Sequence, residues 1–179
     1  MATYYVDPSG GSDSDDGLSF ANAFATTQKA ADTAVDGDFV RLCQTATESI
    51  STKIDMDRAK GTQDLGIDFI SYNSTGTEES IGYTIQASAS IDSILEYNGD
   101  IDFTKWVGVI FDANSNATRC VYNAVADGAD YNSFIDCVFK NASQDCWSIR
   151  SNSWFALRCE WTGAGRYGIH HSSSNLGRS

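Results

Sequence analysis

The sequence predicts an all-β chain wound as a solenoid of stacked parallel strands, and three observations lead there. Residues 107–111, 135–139 and 157–161 carry apolar side chains at their first, third and fifth positions: Val107, Ile135 and Leu157, then Val109, Cys137 and Cys159, then Phe111, Phe139 and Trp161. Each copy runs into a small, turn-forming stretch, at 112–115, 140–143 and 162–165. The copies recur at offsets of 28 residues (111 to 139) and 22 residues (139 to 161). A period of two describes a strand with one buried face, and recurrence at this interval describes units that stack to bury one continuous core. A second set, around Cys120, Cys146 and Tyr167, follows each aromatic by roughly six to ten residues, so two strands per turn are expected. In this register Gly108, Asp136 and Arg158 form one outward column, Ile110, Val138 and Glu160 a second, and Asp112, Lys140 and Thr162 a third.

The chain opens on a β-prone run, residues 3–6, and breaks at 7–17, where Pro8, Gly10, Gly11 and Gly17 supply turn chemistry. From 22 to 35, Ala23, Phe24, Thr27, Ala30, Ala31 and Ala34 recur at three and four, predicting a short amphipathic helix capped by Ser19 or Asn22 and stopped at Asp36-Gly37. A strand at 39–43 follows, and further strands are expected at 67–72, 83–86 and 94–97, with turns at 73–76 and 98–100. The polar stretch 49–66 lacks a period and is expected to protrude as a loop.

Tyr4-Tyr5-Val6-Asp7-Pro8, Gly11-Ser12-Asp13-Ser14-Asp15-Asp16-Gly17, Ala23-Phe24-Ala25-Thr26, Gln28-Lys29-Ala30-Ala31 and Gly37-Asp38-Phe39-Val40 together carry a resemblance. This opening resembles that of right-handed, single-stranded parallel β-helix proteins of the pectin-lyase-like superfold, bacteriophage tailspike, fibre and decoration proteins among them. The resemblance covers about the first 43 residues, and the later turns fit it by period alone. It implies a strand-turn-helix cap over residues 1–37 and a β-helix over 38–179, about five or six coils long and either truncated or completed by a partner. It speaks to fold more than to function, because the superfold houses polysaccharide lyases, glycoside hydrolases, tailspikes and non-catalytic virion proteins alike.

At 179 residues, with 24 acidic against 12 basic side chains and a formal charge of -12, the chain fits one domain. Its longest basic grouping is Asp57-Arg58-Ala59-Lys60, so phosphate-mediated binding to nucleic acid is not expected. No apolar run is long enough to cross a bilayer and no basic region precedes an apolar stretch at the N-terminus, so neither membrane insertion nor secretion is expected. Five cysteines make no even disulfide set. Cys137 and Cys159, on neighbouring turns, are close enough for a bridge, and a buried thiol stack is the expectation.

Candidate chemistry is sparse. Asp136 with Arg158 one turn away, and Glu160 beside them, are the catalytic candidates, with an exposed ion pair as the ordinary alternative. Glycoside hydrolysis needs two carboxylates roughly 5–9 Å apart, for which Asp112, Asp136, Asp145 and Glu160 are available. His170-His171 reads as a solvated turn. Trp106, Trp147 and Trp154 are candidates for a sugar-stacking platform, with core packing as the alternative. Asp13, Asp15 and Asp16 are candidate calcium ligands, although an Asx turn is the default and no cofactor or metal is expected.

The expected function leans away from an enzyme. It is a structural virion protein of a bacteriophage, a tail spike, tail fibre or capsid decoration, assembled in the host cytoplasm. As a homotrimer among other virion proteins it would display a rigid β-helix toward host-surface polysaccharide. The alternative is an extracellular polysaccharide lyase or glycoside hydrolase, and a calcium-dependent carbohydrate-binding module is a third reading.

Overall fold

The computed structural model of the chain describes residues 1–56, 66–98, 103–124, 131–150 and 154–171. Strand β1 (Thr3–Val6) leads into a 3₁₀ turn (Phe20–Asn22) and helix α1 (Thr27–Thr33). Five three-strand coils follow. They are β2 (Phe39–Cys43), β3 (Glu48–Ile50) and β4 (Ile54–Met56); β5 (Asp68–Tyr72), β6 (Tyr83–Ala87) and β7 (Ile91–Tyr97); and β8 (Lys105–Val107), β9 (Val109–Asp112) and β10 (Ala117–Asn123). The last two are β11 (Ser133–Ile135), β12 (Val138–Lys140) and β13 (Asp145–Ile149), then β14 (Phe155–Leu157), β15 (Glu160–Thr162) and β16 (Tyr167–His171).

The first strand of each coil joins sheet A, in the order β1-β2-β5-β8-β11-β14. The second strands form sheet B and the third form sheet C, and all the strand pairs are parallel. This is a right-handed parallel β-helix, the hand that parallel crossovers take. Three strands per turn, not two, close each coil. The missing strand lay at a corner. Gly108, Asp136 and Arg158 adopt φ of 70°, 53° and 52°, so one left-handed residue bends each copy of the repeat into a sheet A strand and a sheet B strand.

That bend also corrects the phase. Trp106 pairs with Phe134, and Phe134 with Ala156; Trp106 and Phe134 are fully buried and Ala156 packs against them. Val107, Ile135 and Leu157, expected inside, lie on the outer face. Past the corner the expectation holds: Val109, Cys137 and Cys159 line one inner column, and Phe111, Phe139 and Trp161 another. Phe111 stacks on Phe139 at 5.3 Å and Phe139 on Trp161 at 5.7 Å. At Gly108 a Cβ would come within 3.2 Å of the Ile81 backbone, so glycine answers both the left-handed bend and the close approach there.

The N-terminal segment covers the first coil. Thr26, not Ser19 or Asn22, caps α1 by accepting from the Lys29 N–H at 3.1 Å, and Ser19 caps the 3₁₀ turn. The helix starts later than its periodicity predicts because residue 24 is used as an edge strand: the Phe24 N–H donates to the Tyr5 carbonyl and the Asp7 N–H to the Phe24 carbonyl, both at 2.9 Å. Helix α1 ends at its C-cap Ala34, before the expected Asp36-Gly37. It packs on β1 and β4 with Ala30 and Ala31 in the core.

Only the start of the expected protruding loop 49–66 is corrected, since β3 and β4 occupy it, with Ile50, Ile54 and Met56 buried, while its 57–65 part lies outside the described residues. Residues 57–60, the 99–100 part of the expected turn and the tail 172–179 lie outside the described residues. The connections between β9 and β10, β12 and β13, and β15 and β16 are each four residues long (113–116, 141–144, 163–166). Those between sheet C and the next sheet A strand vary: 57–67, 98–104, 124–132 and 150–154.

Candidate functional site

The catalytic candidates do meet. Arg158 grips Asp136 with two charge-assisted bonds, Nε to Oδ1 and a terminal nitrogen to Oδ2, both 2.6 Å. The arginine bonds hold the Asp136 carboxyl below the usual carboxylate range. Both are corner residues, Arg158 exposed and Asp136 half-buried, so the bend that displays them also pairs them. A general base works best with a pKa near the operating pH; Arg158 pushes Asp136 the other way. Glu160 begins β15 and stacks over Val138 on the outer face of sheet B, exposed.

The remaining carboxylates lie on different faces. Asp112, on sheet B, accepts from Asn141 at 2.8 Å, Gln86 at 3.0 Å and the Asn114 N–H at 2.9 Å, with Lys140 at 3.4 Å. Burial alone would raise its pKa, but these donors hold it below the ordinary range. Asp145, buried on sheet C, is held by Arg166 at 3.0 and 2.6 Å, with the His170 Nδ1 3.5 Å away. His170 and His171 belong to β16 and not to a turn. Sheet C also carries Arg119 over the Tyr122 ring at 4.5 Å, and the Lys53–Glu96 pair at 2.6 Å.

The tryptophans are placed inside. Trp106 and Trp147 are core residues and Trp154 packs half-buried against them, 5.6 Å from Trp147. The Trp106 indole N–H donates to the Tyr97 hydroxyl at 3.0 Å, which removes the cost of burying it. A sugar platform on these rings is therefore corrected to core packing.

In the acidic turn, Asp13 accepts from the N–H groups of Ala25 at 2.9 Å and Thr26 at 3.0 Å and from the Thr26 hydroxyl, tying the loop to the helix entry. Asp16 accepts from the Leu18 N–H at 2.9 Å, and Asp15 closes a turn through its own N–H to the Ser12 carbonyl. Among the described residues no three His, Cys, Asp or Glu side chains come together as a metal-holding group.

The feature that sequence reasoning missed is on sheet A. Ile70, Val107, Ile135 and Leu157 are consecutive partners across β5, β8, β11 and β14, half-buried to exposed, and form an aliphatic ladder along the axis. Phe39 (37% exposed), Phe155 (53%) and Ile81 (62%) extend the apolar surface. Lys105 and Asp68 on this face pair with each other. Two depressions indent it on either side of Glu79, about 300 Å³ beside Phe39, Arg41 and Tyr72 and about 220 Å³ beside Ile81, Val107 and Gly108. The signal was a glycine in mid-repeat, since Gly108 in a strand pattern marks a bend and thus a change of face.

No family model matches the sequence, and no curated protein matches it. Among solved structures, a rhamnogalacturonan lyase superimposes with a TM-score of 0.48 at 14% identity, over 99% of this chain and 64% of that one. The chain thus spans less than two thirds of the length of that structure.

Proposed function

We propose that the chain is a structural module of a bacteriophage virion, a tail spike, tail fibre or capsid decoration, that assembles as a homotrimer and presents a rigid β-helix to host-surface polysaccharide. The aliphatic ladder of sheet A carries this reading. Contiguous exposed apolar surface marks an interaction site, and at the ~4.8 Å strand spacing its four rungs run about 14 Å along the axis. In a chain of formal charge -12, copies repel one another through most of their surface. The ladder, whose flanking Lys105–Asp68 and Asp136–Arg158 charges are mutually paired, is where copies can meet over apolar side chains, with Glu79 the carboxylate at its margin. Three ladders converging on a three-fold axis leave sheets B and C facing outward, where Asp112, Asp145 and Glu96 sit in their ion-pair networks.

Light scattering on this chain, with and without chelator, tests the reading. The expected mass is three times the 19.4 kDa chain, unchanged by chelator, and reduced to one chain by Ile135→Glu. A monomer at every accessible concentration sinks the proposal. If that monomer also shortens acidic polysaccharide, the chain is a lyase or hydrolase instead.

A further inference from the structure

Four of the five cysteines form two stacked pairs. Cys120 and Cys146 face each other through the β10–β13 register, and Cys137 and Cys159 through the registers on either side of the sheet A to sheet B corner. All five thiols are free. The second pair is held in one shared orientation. Cys137 Sγ lies 3.5 Å from the Trp106 carbonyl oxygen and 3.4 Å from that of Ile135; Cys159 Sγ lies 3.3 Å from Phe134 and 3.5 Å from Leu157. Trp106 and Phe134 are themselves partners one coil apart, as are Ile135 and Leu157, so the two thiols sit one above the other on equivalent supports, each donating to carbonyls of its own and the preceding coil. Paired parallel strands hold Cα atoms about 4.8 Å apart, inside the ~4.4–6.8 Å window that a disulfide spans.

We propose that Cys137 and Cys159 are a disulfide modification site: a low-molecular-weight disulfide such as glutathione disulfide oxidises this pair and staples the fourth coil to the fifth, while Cys120 and Cys146 stay reduced. Access separates the two pairs. Cys120 and Cys146 are fully buried, whereas Cys159 is half-buried at an exposed corner. Acidity does not divide the pairs, because in each the more buried thiol (Cys120, Cys137) is pushed up and its partner (Cys146, Cys159) is lowered; access alone selects Cys159. Burial pushes the Cys137 thiol up, so it keeps its proton; the neighbouring Cys137 thiol lowers Cys159 to about 7, so Cys159 supplies the attacking thiolate. The Cys159 thiolate attacks one sulfur of the oxidant, whose S–S bond breaks and releases one thiolate. That thiolate takes the Cys137 proton. Cys137 then attacks Cys159 Sγ and expels the second thiolate. The protein loses two hydrogens and the oxidant becomes two thiols. This proposal does not rest on the virion reading.

The intact, folded chain is incubated with glutathione disulfide, alkylated, unfolded, alkylated again with a distinguishable reagent and mapped by mass spectrometry. The expected product has lost two hydrogens, links the peptides of Cys137 and Cys159, and takes the second reagent on Cys43, Cys120 and Cys146. Its melting temperature rises by roughly 7–14 °C, as closure of a loop of about 23 residues implies. Cys137→Ala should stop at a glutathione adduct on Cys159, and Cys159→Ala should not react. An unreacted wild-type chain, a wild-type adduct that never resolves, or a link through Cys120 or Cys146 overturns the proposal. The wild-type map decides the matter even where a variant fails to fold.

Discussion

Phe134 and Ile135 are neighbours in sequence with opposite assignments, and truncating each in turn tests the phase of the whole β-helix. The Phe134 ring is fully buried and lies 5.1 Å from Trp147, 5.4 Å from Phe139, and 6.0 Å from both Phe111 and Trp154. Phe134→Ala leaves a cavity where four rings converge, so about 3–5 kcal/mol is lost. Ile135 is half-buried on the outer ladder, and Ile135→Ala removes a side chain that already meets solvent, at about 1 kcal/mol or less. At ~2–4 °C per kcal/mol for a chain of this size, the two variants should melt at well-separated temperatures. The assay is urea unfolding followed by circular dichroism at two protein concentrations. Any share of the Ile135 effect due to self-association grows with concentration, and the low-concentration limit isolates folding. Equal costs, or a larger cost at Ile135, would refute the corner at Asp136 and restore the uninterrupted alternation of the sequence pattern.

Other outcomes follow from single sites. Burial raises the Glu48 pKa above its ordinary 4.5 despite bonds from Thr27 and Tyr83. Its stabilising contribution is therefore full below about pH 4.5 and lost as pH rises through the folded-state value; Glu48→Gln should remove that fall, read as the difference between the two pH–stability curves. Asp112, held low, works in the opposite sense: its contribution is present above the ordinary carboxylate range and lost on acidification, so Asp112→Asn should flatten the acid limb of the same curve. Thr26→Ala removes the N-cap of a seven-residue helix and should cost about 1 kcal/mol in urea. Arg158→Gln, at an exposed corner, should leave the urea midpoint nearly unchanged; a large drop would mean that Arg158 has a partner beyond Asp136.

Most strands and the small-residue turns after each repeat were legible in the sequence because period-two runs and small-residue turns are local properties. The strands at Phe39, Asp68, Tyr83 and Ile91 were all readable this way. What was not legible depended on single backbone angles or on distant partners. Asp136 and Arg158 carry side chains and still take the left-handed bend, so the alternation seemed to run through them, and the outer ladder was assigned to the core. Strands β3 and β4 are three residues each, too short to show a period, and are recognised as strands through pairing with β6 and β7. Trp106 was open to a surface reading because the Tyr97 hydroxyl that satisfies its indole lies on another sheet. Among the candidate site residues, the meeting of Asp136 and Arg158 was legible from their one-turn offset. The meeting of Asp145 with Arg166 was not, since it joins a strand to the corner of the next coil.

The unequal connections have a practical consequence for engineering. Each corner between sheets B and C in the last three coils spans four residues, whereas the return to sheet A takes eleven, seven, nine and five residues (57–67, 98–104, 124–132, 150–154). Sequence length between sheet C and the next sheet A strand therefore varies while the rungs stay in register. A foreign peptide spliced into 124–132 lengthens a connection whose length already differs from coil to coil. The same peptide placed in 141–144 must force apart strands that every neighbouring coil joins in four residues. The connections of variable length are the positions for epitope grafting.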